Sequence, residues 1–179
     1  MSFNAILNAV YHQAWHISAT YKVVMKIVFL DSESVGNANL SALHEQGELF
    51  CYTTTESTAQ LASIIDNANV VISNKVKLNQ NLLDSSPALN LICVAATGYN
   101  NVDIASAQHN NITVSNVAGY STDSVTQHVF AMLLNWAIQL QAYQTASQNG
   151  QWLNSPLFCL LDFPIFDLKG KTIALFGYG

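Results

Sequence analysis

Few of the 179 residues are of kinds that do chemistry, and those few stand in short groups. The stretch "ATGYNNVD" (96–103) sets Gly98 between Thr97 and Tyr99, with Asn100 and Asn101 following. Glycine at such a point permits positive φ and close approach of a ligand. Successive backbone N–H groups in a turn of this kind can bind a carboxylate. The plain alternative is a tight strand-to-helix turn with the two asparagines as turn formers. The stretch "SNKVK" (73–77) offers Lys75, either as a ligand-facing cation or as an ordinary solvated loop lysine. At 177–179 stands "GYG", following an apolar run. A strand and then Gly-x-Gly is how a dinucleotide-binding turn begins, and a complete one adds a third glycine and a helix N-terminus to hold the pyrophosphate. His12 and His16, four residues apart, could share a helix face, but no third ligand stands near them, so no metal site is expected. Cys51, Cys93 and Cys159 show no short metal-ligand spacing. Their odd number and scatter fit reduced, mostly buried thiols in a cytoplasmic protein.

The bulk numbers narrow the field. Half the residues are hydrophobic, enough for a real core, and only 9% are charged. A net charge of -5 and the absence of any Lys/Arg-rich run argue against nucleic acid as the main partner. The first 24 residues carry one charge, Lys22, and lack the basic start of a signal peptide. Asn, His and Gln interrupt their apolar residues too often for a membrane span. "MKIVFLD", opening at Met25, reads as the start of the folded domain, with residues 1–24 a mis-assigned start or a loosely attached extension.

The elements that must position these groups alternate along the chain. Strands are expected at 26–30, 49–54, 69–73, 89–95 and 111–116, rich in Val and Ile and without polar alternation. Between them fall helical patterns at 38–47, stopped by Gly47, at 56–68, with Leu61, Ile64 and Ile65 on one face, and at 100–111, with Asp103 near its start. Strands separated by helices pair in parallel through right-handed crossovers, which gives a doubly wound α/β sheet of five strands. "SNKVK" and "ATGYNNVD" follow the third and fourth strands. Ligands of open α/β sheets bind beyond the carboxyl ends of strands.

A long helix is expected next, over 120–150, with Val125, Val129, Met132, Leu133, Trp136, Leu140 and Tyr143 in one apolar stripe. Ser124 and Gln127 have capping-box spacing, Asp123 suits a helix start, and Gly150 is a natural stop. About 25 residues make a rod near 37 Å long, suited to bridging two domains. An irregular connector, broken by Pro156 and Pro164, fills 151–170, and "KTIALFGYG" opens a new strand.

Four stretches together resemble one family, the NAD(P)-dependent D-isomer-specific 2-hydroxyacid dehydrogenases. They are "VVISNKVKL" (70–78), "LICVAATGYNNVDI" (91–104), "VSNVAGYSTDSVTQHVFAMLL" (114–134) and "LKGKTIALFGYG" (168–179), in matching order and spacing. The resemblance spans roughly residues 25–179. Within the family it is most similar to the glycerate dehydrogenases, also called hydroxypyruvate reductases.

The resemblance implies two domains, flavodoxin-like and Rossmann-like, with a cleft between them. Residues 25–119 would be the substrate (catalytic) domain, 120–170 an interdomain helix and connector, and 171–179 the start of the NAD(P)-binding domain. It places Asn74, Lys75, Val76, Thr97, Gly98 and Tyr99 at the substrate. It places Ser121, Val125, Gly177 and Gly179 on the cofactor side. Gln127 and His128 stand where many members have Glu-His. His128 is not the catalytic histidine and reads as a helix-surface or interface residue. The family's catalytic Arg, acid and His belong beyond residue 179. The implied partners are a small 2-keto or 2-hydroxy acid and a second subunit, with no nucleic acid and no membrane.

The chain thus reads as a truncated gene product or a deliberately cut one, inactive alone. The alternatives are a binding module that pairs with an intact relative, or one half of a split enzyme completed by a separate nucleotide-domain chain.

Overall fold

The computed structural model describes residues 24–53 and 58–177, and the chain divides after Tyr120 into two compact units. The expectations for residues 1–23 and for His12 and His16 lie outside the described residues.

The first unit is built on five strands: β1 (Met25–Phe29), β2 (Gly47–Cys51), β3 (Val70–Ser73), β4 (Leu91–Val94) and β5 (Thr113–Asn116). They form one all-parallel sheet in the order β2-β1-β3-β4-β5. This is the flavodoxin-like doubly wound order. Every residue of β3 and β4 is buried, as strands covered on both faces require.

Successive side chains point to opposite faces. Val28, Leu30, Val71, Ile92 and Val94 pack to one side with Leu61 and Ile65 of α2 (Thr58–Ile65), Leu82 and Leu83 of α3 (Gln80–Asp84) and Ala107 of α4 (Ile104–His109). Ile27, Phe29, Val70, Ile72 and Leu91 pack to the other side with Leu43 of α1 (Ser41–His44) and with Val35 of a short 3-10 turn.

The helix starts are chemically specified. Asp103 caps α4, its carboxylate accepting from the Ser106 N–H at 3.0 Å. Asn79 caps α3 in the same way, accepting from the Leu82 N–H at 3.1 Å. The sequence pattern did not point to α3, which is only five residues long.

Gly47 has a different role from the expected helix stop. It is the first residue of β2, where a Cβ would collide with the carbonyl oxygen of Met25 on the neighbouring strand. The expectation that the cysteines are mostly buried needs the same revision. Cys93 is buried, Cys159 is half-buried and Cys51 is exposed on an edge strand.

The second unit holds α5 (Thr122–Ile138) and α6 (Leu140–Gln148). The expected single rod is therefore two helices of 17 and 9 residues, broken at Gln139, whose φ of 52° and ψ of 40° are left-handed. An irregular connector follows. The Tyr143 hydroxyl donates to the Phe163 carbonyl at 2.8 Å, and the two rings meet edge-on with centroids 5.1 Å apart. Residues 171–177 form no strand, although "KTIALF" has strand composition: no ladder partner stands beside them among the described residues. Among those residues no helix is long and apolar enough to cross a membrane.

Candidate active site

Because the strands are parallel, their carboxyl ends share one edge. That edge gathers Asp31 after β1, the 74–78 loop after β3, the 95–101 loop after β4 and Val117 after β5. All belong to the first unit, and hydrogen bonds join them into one rim.

The loop after β3 is held from several sides. The Asp31 carboxylate accepts from the Asn74 N–H at 2.8 and 3.0 Å and from the Lys75 N–H at 2.6 Å. The Val76 N–H donates to the Ser73 hydroxyl at 3.1 Å. The Asn101 carboxamide donates to the Val76 carbonyl at 3.0 Å. Leu78 and Val102 form a parallel bridge, with the Leu78 N–H donating to the Asn101 carbonyl at 2.8 Å. The loops after β3 and β4 are thereby one hydrogen-bonded body.

The loop after β4 is anchored by its side chain and carbonyl, which leaves its donors free. The Thr97 hydroxyl donates to the Val117 carbonyl at 3.2 Å, and the Asn116 carboxamide donates to the Thr97 carbonyl at 2.7 Å. The N–H groups of Thr97, Gly98 and Tyr99 donate to no group among the described residues, and all three residues are exposed. Gly98 does not take up the positive φ anticipated for it. What it provides is room: a Cβ there would meet nothing within 4 Å. The loop thus carries three successive backbone donors with no internal acceptor among the described residues. Beside it, along β5, opens a cleft of about 330 Å³ lined by Tyr99, Ile104, Gln108, Ile112, Val114 and Asn116.

The structure thus brings Asn74, Lys75, Val76, Thr97, Gly98 and Tyr99 to adjacent loops of one rim. Ser121, Val125 and Gly177 belong to the second unit, and Gly179 lies outside the described residues. Val125, Gln127 and His128 are exposed on α5. Gly177 has φ of 100°, a conformation that L side chains rarely adopt. Cys93 offers no nucleophile, since burial pushes its thiol up to about 12.

Asp31 is the rim residue that pattern reading passed over. "LD" after an apolar run looks like any strand end, and its partners lie more than forty residues away in sequence.

Comparison with known proteins places the chain in a family. Residues 27–155 match the model of the D-isomer specific 2-hydroxyacid dehydrogenase catalytic domain. The chain belongs to the D-isomer specific 2-hydroxyacid dehydrogenase family. It is 34% identical to a glycerate dehydrogenase of Methylorubrum extorquens over 154 residues, 86% of this chain and 49% of that protein. It is 33% identical to a hydroxypyruvate reductase of Blautia hydrogenotrophica over 159 residues, 87% of this chain and 49% of that one. The chain spans about half the length of the curated relatives it matches. In fold it is similar to an NADPH-dependent glyoxylate/hydroxypyruvate reductase of Sinorhizobium meliloti, solved with NADP and malonate. That likeness has a TM-score of 0.60 at 24% identity, over 88% of this chain and 47% of that one. Members of this family are oxidoreductases acting on CH–OH donors, with NAD or NADP as cofactor.

Proposed function

We propose that the first unit is the substrate side of a D-2-hydroxyacid dehydrogenase, and that residues 97–99 bind the carboxylate of a small 2-keto or 2-hydroxy acid of the hydroxypyruvate/glycerate type. The observation that carries this reading is that the N–H groups of Thr97, Gly98 and Tyr99, three successive exposed residues, meet no internal acceptor among the described residues, on a loop where the Thr97 side chain and carbonyl are tied down. Lys75 and the side chain of Asn74, on the neighbouring loop, border the same acid. Its 2-keto form is reduced at C2 by a hydride and a proton, which NAD(P)H and a general acid supply in the complete reaction. Ser121, Val125 and the turn at Gly177 lie on the cofactor side in this reading, with residues 25–119 as the substrate domain.

The 179 residues contain no arginine, so no guanidinium grips the carboxylate here and the backbone donors are its direct partners in this reading. A single row of neutral donors supports a dissociation constant on the order of millimolar. The chain by itself should bind the acid without turning it over, because it has no arginine to polarise the carbonyl.

The test is a titration with glyoxylate or malonate followed by amide NMR. The amides of Thr97, Gly98 and Tyr99 should shift together and saturably. Gly98→Val should abolish the response without loss of stability, because the Cβ position is open. In an NADH-oxidation assay with hydroxypyruvate, the rate should equal the blank. A rate above the blank that Gly98→Val removes would overturn the inactivity of the chain.

A second reading, a module that pairs with an intact relative or a separate nucleotide-domain chain, is favoured by the exposure of Val129, Met132 and Trp136 on α5.

A further inference from the structure

We infer that Asp31 is the residue that decides which of two neighbouring turns takes a substrate carboxylate. This rests on the reading of residues 97–99 as the carboxylate site. Two loops follow adjacent strands at this rim. After β3, the chain turns through Asn74, Lys75 and Val76. After β4, it turns through Thr97, Gly98 and Tyr99. Each turn presents three successive N–H groups at the carboxyl edge of the sheet.

The two turns differ in what their donors meet. In the first, the Asn74 and Lys75 N–H groups converge on one carboxylate, that of Asp31, at 2.6 to 3.0 Å. The third N–H, of Val76, is taken by Ser73, which is fully buried. Asp31 itself is only 8% exposed, so its carboxylate is a built-in part of the turn and not a mobile surface group. In the second turn no internal acceptor is present among the described residues, and Gly98 leaves the approach open.

The place Asp31 occupies matters. β1 and β3 are neighbours in space, and the strand order reverses between them. Doubly wound sheets bind their ligands at such a switch point. Here an internal carboxylate already fills it. A second anion would meet both a filled site and a like charge, so a substrate carboxylate is directed one strand over, to 97–99. Asp31 contacts no substrate in this account. It positions the first turn and denies its donors to an incoming acid.

Replacing Asp31 with glycine tests this. The variant frees two N–H groups and the space in front of them, and formate is the probe that fits. The expected result has three parts. D31G melts lower than the unaltered chain by about 5 °C or more. Formate, but not chloride at equal ionic strength, raises that melting temperature saturably. The Asn74 and Lys75 amides of D31G shift with formate, whereas in the unaltered chain they do not respond to formate or glyoxylate.

A folded D31G whose Asn74 and Lys75 amides ignore formate overturns the inference, and so does an unaltered chain in which those amides respond. Should D31G not fold, D31N keeps the question decidable. It retains the shape but replaces one acceptor oxygen with a donor, so the Asn74 and Lys75 amides must move while those of Thr97, Gly98 and Tyr99 stay. Unmoved Asn74 and Lys75 amides in D31N overturn the inference. If D31G gains its formate response but Thr97, Gly98 and Tyr99 never respond to glyoxylate, the carboxylate reading of that turn fails and the filling of the first turn by Asp31 stands.

Discussion

The two units of this chain solve the burial problem to very different degrees. In the first, β3 and β4 are buried along their whole length, and both faces of the sheet have apolar clusters against them. In the second, Ala137 and Ala146 are the buried residues among those described, while Trp136 is 63% and Phe158 94% exposed. Single contacts hold the second unit in place: the Trp136 ring edge-on to Phe166 at 4.8 Å, the Phe166 N–H on the Ala137 carbonyl at 3.1 Å, and Tyr143 on Phe163. A parallel sheet with helices against both faces carries its own core. Two helices and an irregular connector, without a sheet to cover, bury far less.

The largest expected effect separates the units directly. Ile92→Ala, at a residue with no exposure on the interior strand β4, should cost about 2–5 kcal/mol. Met132→Ala, at a residue 61% exposed on α5, should change stability by no more than about 0.5 kcal/mol. Urea midpoints at unchanged slope measure both. Equal costs at the two sites would erase the distinction between the units.

An intermediate effect concerns association. Val129, Phe130, Met132, Trp136 and Leu140 are all exposed, and an apolar surface of that size draws copies together. The chain is expected to self-associate, and Met132→Lys with Leu140→Lys should raise the monomer fraction severalfold in sedimentation at tens of micromolar. A monodisperse monomer of the unaltered chain would show that the stripe is not sticky enough to matter.

The smallest effect sharpens the account of the first unit. Asp103→Ala removes the cap of α4 and should cost about 1 kcal/mol, with Asp103→Asn restoring most of it. Loss of much more than that would mean Asp103 also supports the adjoining rim through the bridge at Val102.

What the sequence could show was set by local pattern. The unbroken apolar runs of β3 and β4 announced a buried parallel sheet, because strands covered on both faces have no polar side to alternate with. Gly98 between Thr97 and Tyr99 pointed to a loop, and the N–H groups there meet no internal acceptor among the described residues. The four matching stretches announced the family before any fold was seen.

Other features depended on residues far apart in the chain, and only the folded molecule decided them. Gly47 is needed because Met25 of another strand lies against it. Asp31 gains its role from an N–H row more than forty residues on. The break at Gln139 has no glycine or proline to announce it and is seen only in its left-handed backbone angles. "KTIALF" has the composition of a strand but forms none here, because a strand exists only where another chain segment completes its hydrogen bonds. Local chemistry is written in neighbours along the sequence. Steric fit, charge capture and strand pairing are properties of neighbours in space.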